Sequence, residues 1–215
     1  MSMKTDDLIE SLSADLPKIA PGAVARRVAL GLGLGGLVSA AVMLVWLGPR
    51  PDLAQAVMTP MFWMKLSYAA ATGLILAGVL IRLAKPAARL GILAAAAVAP
   101  FAVVAATALA RIAQAPPEMR QSLLMGHSSM ICPWRILVIG LPVLAGAVWA
   151  VRGLAPTRLT LAGLTAGGCA GGLGAAIYVI ACNETSAPFL AIWYTLGMMT
   201  LALAGVLGSR LLRWR

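Results

Sequence analysis

Apolar residues run almost unbroken from Val28 to Leu47, stop at the stretch GPRPDLAQ, and then resume. The same rhythm of long apolar run and short polar break recurs along the chain. It marks six spans, at 28–47, 62–81, 90–110, 136–151, 159–181 and 190–209. Most runs approach the ~20 residues that a helix needs to cross a hydrocarbon core. The fourth is the shortest, unless Ile131 to Trp134 belongs to it. The breaks AKPAAR, AQAPPEMRQ, RGLAPTR and CNETSAP follow spans two to five. Proline and glycine at such points end helices or make turns. Period-two alternation is absent, which argues against a β-barrel. The predicted fold is all-α: a polytopic membrane protein of six transmembrane helices, preceded by a short cytoplasmic amphipathic helix. Residues 1–27 form the N-terminal segment, 28–209 the membrane domain and 210–215 a basic tail. No internal repeat and no second soluble domain is visible.

Composition agrees with this pattern. The 215 residues are 61% hydrophobic and 11% charged, whereas a soluble domain is about a quarter charged. The net charge of +10 would suggest nucleic acid in a soluble protein. Here the basic residues sit at span edges, where they set topology and meet anionic headgroups, so direct nucleic-acid binding is not expected. A signal peptide is not expected either, because the first apolar run starts only at Val28 and lacks a small-residue cleavage site.

Lys and Arg counts set the orientation. With six spans both termini share a side. That side carries Lys4, Lys18, Arg26, Arg27, Arg82, Lys85, Arg89, Arg152, Arg158, Arg210, Arg213 and Arg215, twelve in all. The other side carries five: Arg50, Lys65, Arg111, Arg120 and Arg135. The termini are therefore expected in the cytoplasm of a bacterium, with the chain in its inner membrane. Trp134 and Trp193 read as interface anchors, and Lys65 as a side chain snorkelling outward. No Asp, Glu or His lies near the middle of a span, which counts against a proton-coupled transporter.

This orientation places Cys132, in SSMICPWR, and Cys182, in IACNETSAP, on one face. In a bacterium that face is periplasmic, where disulfides form and persist. Each cysteine alone reads as a small buried residue at a helix end. Together they read as a redox-active or metal-binding pair, since a helical hairpin separates them and its outer ends can meet. His127 and Glu184 lie nearby in sequence. Two thiolates, an imidazole and a carboxylate suit Zn²⁺ or Cd²⁺, but the spacing matches no standard zinc motif. The metal candidates are Cys132, Cys182 and His127; no resident cofactor is expected. Glu184 also reads as a cap for span six or a turn. Cys169, in AGGCAGGLGA, reads as structural. Its neighbours Gly167 with Gly171, and Gly168 with Gly172, are small-residue pairs that allow close helix approach.

The N-terminal stretch MSMKTDDLIESLSADLPKIAPG holds Asp6, Asp7, Glu10 and Asp15, four of the seven acids in the chain. Thr5 is placed to N-cap a helix with Asp6 and Asp7 in its first turn. Leu8, Leu12, Leu16 and Ile19 form a helical stripe, and Pro17 limits the clean helix to residues 6–16. Surface helices of membranes usually carry Lys and Arg. This acidic one reads instead as a docking element for a basic cytosolic partner, ordering as it binds.

Three features now stand together: the opening MKTDDLIESLSADL, six spans without a sizeable soluble domain, and the loops GHSSMICPWRI and ACNETSAPFLAIWYTLG. The chain resembles, over essentially its whole length, the NrsF family of bacterial membrane anti-sigma factors. These are negative regulators of extracytoplasmic-function sigma factors that respond to heavy-metal or oxidative stress. The resemblance implies that the N-terminal segment, Lys4 to Leu16, sequesters such a sigma factor. It implies that Cys132 and Cys182 are signal-sensing thiols whose reaction releases it. Asp6, Asp7, Leu8, Leu12 and Leu16 are the candidate sigma contacts, a choice that rests on the helical pattern. The chain is then not an enzyme. The rival readings are a small six-span transporter and a membrane thiol-redox protein; the second would need paired cysteines such as C-x-x-C, which are absent.

Overall fold

The computed structural model describes residues 5, 9, 20, 22–85, 90–154 and 156–212. Among these the chain is helical and contains no strand. In chain order the helices are α1 (Ala23–Trp46), α2 (Leu53–Ala56), α3 (Pro60–Leu83), α4 (Ile92–Ala96), α5 (Ala99–Gln114), α6 (Pro117–Met125), α7 (Cys132–Arg152), α8 (Leu159–Tyr178), α9 (Ala187–Phe189) and α10 (Thr195–Leu207). A π-helical turn, Leu190–Tyr194, joins α9 to α10, and a 3₁₀ turn, Gly208–Leu212, follows α10. Six stretches are long and apolar enough to cross a membrane: α1, α3, α4 with α5, α7, α8, and Ala187–Leu212.

The expected spans are all present, with shifted ends. The first starts earlier, at Ala23, taking Arg26 and Arg27 into the helix. The fourth starts at Cys132 because Pro133, just inside it, favours a helix start. It therefore runs 21 residues, and α8, with 20, is the shortest. The third is broken between Ala96 and Ala99. Pro100 lacks an N–H and its ring would crowd the Ala96 carbonyl, so one continuous helix is disfavoured there.

α8 is the central helix, and its small residues permit this. Gly167 and Gly171 face α10, where a Cβ would strike the Leu201 carbonyl and Met198. Gly172 faces α3, against Gly73 and the Ala69 carbonyl. The two small-residue pairs thus let two neighbours approach from different sides. α1 lies on α7 in the same manner, Gly31 against Gly146 and Gly35 against the Pro142 carbonyl. Pro142 leaves the Val138 carbonyl without its usual helical donor, and one residue on, Ser39 Oγ of α1 donates to the Ile139 carbonyl at 2.5 Å. At the end of the bundle nearest the chain termini, Arg27 Nε donates to the Ala150 carbonyl at 3.0 Å and the guanidinium stacks 5.1 Å from the Trp149 ring. The loops around residues 47–59, 115–131 and 179–186 meet at the opposite end.

Candidate functional site

Cys132 and Cys182 both lie at that opposite end, where each is part of the buried core that runs through the bundle. Each thiol is within electrostatic reach of the other, and both are free. The sequence pattern put them at polar loop edges. The structure buries them, at 0% and 2% exposure, so a reagent meets them only if the loops above them move.

Those loops are tied together by Glu184. Its Oε1 accepts the backbone N–H of His127 and the hydroxyl of Ser128, each at 2.8 Å. Ser128 in turn accepts, through its carbonyl, the N–H of Cys132 at 2.8 Å. A carboxylate two residues after one cysteine therefore holds the turn that starts the helix of the other. Gly126 sits at φ +54 beneath this carboxylate, where a Cβ would strike Glu184 and Phe189. Only glycine fits that backbone without strain. Ser186 Oγ donates to the Leu123 carbonyl at 2.6 Å, and Trp193 Nε1 to the Leu124 carbonyl at 2.9 Å. Trp193 thus fastens α6 to the sixth span, while Trp134 stays exposed.

His127 enters this network through its backbone. Among the described residues no three His, Cys, Asp or Glu side chains are arranged to hold a metal ion. Cys169 is fully buried in α8, away from these loops.

Lys65 corrects a sequence-based expectation. It does not snorkel outward; it is 1% exposed. Its Nζ donates to the carbonyls of Cys182, at 3.0 Å, and Glu184, at 2.6 Å. Arg50, also buried, donates through Nη1 to the same Cys182 carbonyl at 3.0 Å, and its backbone N–H reaches the Ile180 carbonyl at 3.0 Å. Its other side-chain nitrogens chelate Asp52 at 2.7 and 2.6 Å, a bidentate pair. The carboxylate raises the Arg50 pKa and the guanidinium lowers that of Asp52. A cleft of about 190 Å³ beside this network is lined by Arg50, Asp52, Lys65 and Glu184, among others.

Tyr194 closes the site from the sixth span, within electrostatic reach of both thiols. Its buried hydroxyl has no hydrogen-bond partner of good geometry. It ends the π-helical turn, whose extra residue rotates the helix locally. Such turns recur at functional sites.

The candidate partner-docking residues Asp6, Asp7, Leu8, Leu12 and Leu16 lie outside the described residues, as does the tail from 213 onward. Of the N-terminal segment, Thr5 and Ile9 are helical and exposed.

A family model described as negative regulator of sigma F, NrsF, matches residues 12–214. The chain is 46% identical over 222 residues to the anti-sigma-F factor NrsF of Caulobacter vibrioides, covering 99% of this chain and 100% of that protein. It is 38% identical over 215 residues to the probable anti-sigma-F factor NrsF of Azospira oryzae, again covering 99% and 100%. No solved structure matches the chain.

Proposed function

The chain belongs to the NrsF family of negative regulators of a sigma factor, and from that premise we propose a membrane switch with its input and output at opposite ends. The output is the N-terminal segment, Lys4 to Leu16, which holds an extracytoplasmic-function sigma factor at the inner membrane, away from RNA polymerase. The input is the pair Cys132 and Cys182, on which a metal or oxidative stress signal acts from the periplasm. The observation that carries this reading is that two free, buried cysteines, 50 residues apart in sequence, are joined at one end of the bundle through Glu184, which follows Cys182 by two residues and holds the Ser128 turn that starts the helix of Cys132.

Coupling requires that the signal favour a state that binds sigma less well. Burial of both thiols supplies a basis for it. A group added to either buried sulfur must displace its packed neighbours, and a bond drawn between the two sulfurs must pull their two loops together, so either change repacks the loops.

Two experiments test the proposal. Deleting residues 4–16, which spares the first transmembrane helix from Ala23 onward, should free sigma-dependent transcription while leaving membrane insertion intact; full repression by the shortened chain refutes the docking role. Cys132→Ser and Cys182→Ser should each change the response of the sigma regulon to Cd²⁺ or to an oxidant. Unchanged dose responses in both variants remove the sensor role.

A further inference from the structure

We propose that Lys65 and Arg50 are the positioning residues of the thiol site: their shared grip on the Cys182 carbonyl ties that cysteine to the outer end of α1, the helix that continues from the N-terminal segment. The inference rests on the sensor reading above and adds to it the route from input to output.

The argument starts from the cost of Lys65. Its ammonium is buried, and its hydrogen bonds go to two backbone carbonyls. Among the described residues the ion pair within 4 Å is Arg50 with Asp52, and Glu184 directs its carboxylate to His127 and Ser128. A buried charge without a carboxylate in contact is a poor way to gain stability, and an apolar side chain of similar volume often does better. Stability therefore does not account for Lys65. Its place does: one cation from α3 and one from the loop after α1 converge on a single carbonyl oxygen, that of Cys182.

Arg50 then connects that oxygen to α1. It stands four residues beyond the end of the helix at Trp46, and two of its hydrogen bonds hold it to the Ile180–Cys182 strand of chain. α1 itself is packed without slack on α7, the helix that begins with Cys132, through Gly31, Gly35 and the Ser39 hydroxyl. Both cysteine-bearing elements thus act on one helix, at its end and along its side. Tightly packed interfaces of this kind shift between discrete arrangements more readily than they stretch. A displacement of Cys182 withdraws the acceptor from both cations at once and frees the end of α1. The clamped arrangement, with its thiols free, is the sequestering state.

The test uses the full-length chain in the membrane, with sigma-dependent transcription as readout. Lys65→Met and Arg50→Met should raise transcription in the absence of any signal by about tenfold, the effect of about 1.4 kcal/mol of lost bias. They should do so at normal membrane abundance. Arg50→Lys, which keeps one donor for the carbonyl, should recover most of the repression. The derepression should persist in a chain carrying Cys132→Ser and Cys182→Ser, because the clamp holds a backbone oxygen and needs no thiol. If Lys65→Met fails to accumulate, Arg50→Met at the rim of the site carries the same comparison. Full repression and a wild-type dose response in the Met variants overturn the clamp. If the clamp variants derepress while the serine variants keep a normal response, the sensor reading falls and the clamp stands.

Discussion

The Glu184 carboxylate accepts two hydrogen bonds across the gap between the cysteine loops. Glu184→Ala leaves the His127 N–H and the Ser128 hydroxyl without that acceptor. The site is partly exposed, so water replaces some of the loss, and the cost should be about 1 kcal/mol. The kinetic effect should be larger, since the turn ahead of Cys132 is freed. Labelling of Cys132 by a maleimide in membranes should accelerate in Glu184→Ala; an unchanged rate would mean that the carboxylate does not guard the thiol. Asp52 offers a second residue-scale test. Arg50 holds its folded pKa below the ordinary value, chiefly by hydrogen bonding. Its contribution is therefore complete above about 3.9 and is lost as the pH falls through the lower folded value. Asp52→Asn should leave the pH dependence of thermal unfolding unchanged at neutral pH and flatten it below about pH 4. A change confined to pH 6–8 would contradict the assignment. Little of this was legible beforehand. A lone lysine near a span end reads as snorkelling, and the acceptors of Lys65 are backbone carbonyls 117 and 119 residues away. Carbonyls have no sequence signature, so neither end of that contact announced itself. Glu184 was visible as an acid near Cys182, but its partners on the far loop were not.

At the scale of elements, the helices follow from hydropathy while their seams follow from glycine. Gly33 has nothing within 4 Å of its would-be Cβ, whereas that of Gly167 meets the Leu201 carbonyl. Gly33→Ala should thus be neutral or stabilise by up to about 1 kcal/mol, since glycine within a helix is the weaker choice. Gly167→Val should force α8 from α10 and destabilise by at least the 1–3 kcal/mol or so typical of overpacking. Thermal unfolding in detergent separates the two; equal effects would mean that α8 and α10 are not in close contact. The pairs Gly167 with Gly171 and Gly168 with Gly172 were readable as close-approach surfaces. That they serve two neighbours was not, because spacing along a helix does not name what lies opposite. The break before Pro100 and the start of α7 at Cys132 had local causes in proline, yet an unbroken apolar run conceals the first and the charge of Arg135 moved the expected start of the second to 136. The turn at Leu190–Tyr194 has no such mark at all.

Across the whole molecule, the thiol site and the N-terminal segment can form a switch only if they face different compartments. The folded bundle brings Arg50, Lys65, Glu184 and both cysteines to one end and Arg27 to the other. Geometry alone leaves open which end meets the cytoplasm, and the expected orientation rests on the charge count of the sequence. Twelve of the 17 Lys and Arg lie on the side of the termini, and cytoplasmic flanks carry that excess. Arg50, Lys65, Arg111, Arg120 and Arg135 weigh the other way, and of these Arg111 and Arg135 sit at the helix ends that flank the α6 connection carrying Arg120. A phosphatase that is active only after export, fused within α6 near Met119, should therefore be active; fused after Arg215 it should be silent. A fluorescent protein that matures only in the cytoplasm should give the opposite pattern. The reverse result would put Cys132 and Cys182 in a reducing compartment, where a disulfide does not persist. The N-terminal segment would then face away from any sigma factor. Both halves of the proposed switch would fail together, which makes orientation the first experiment to perform.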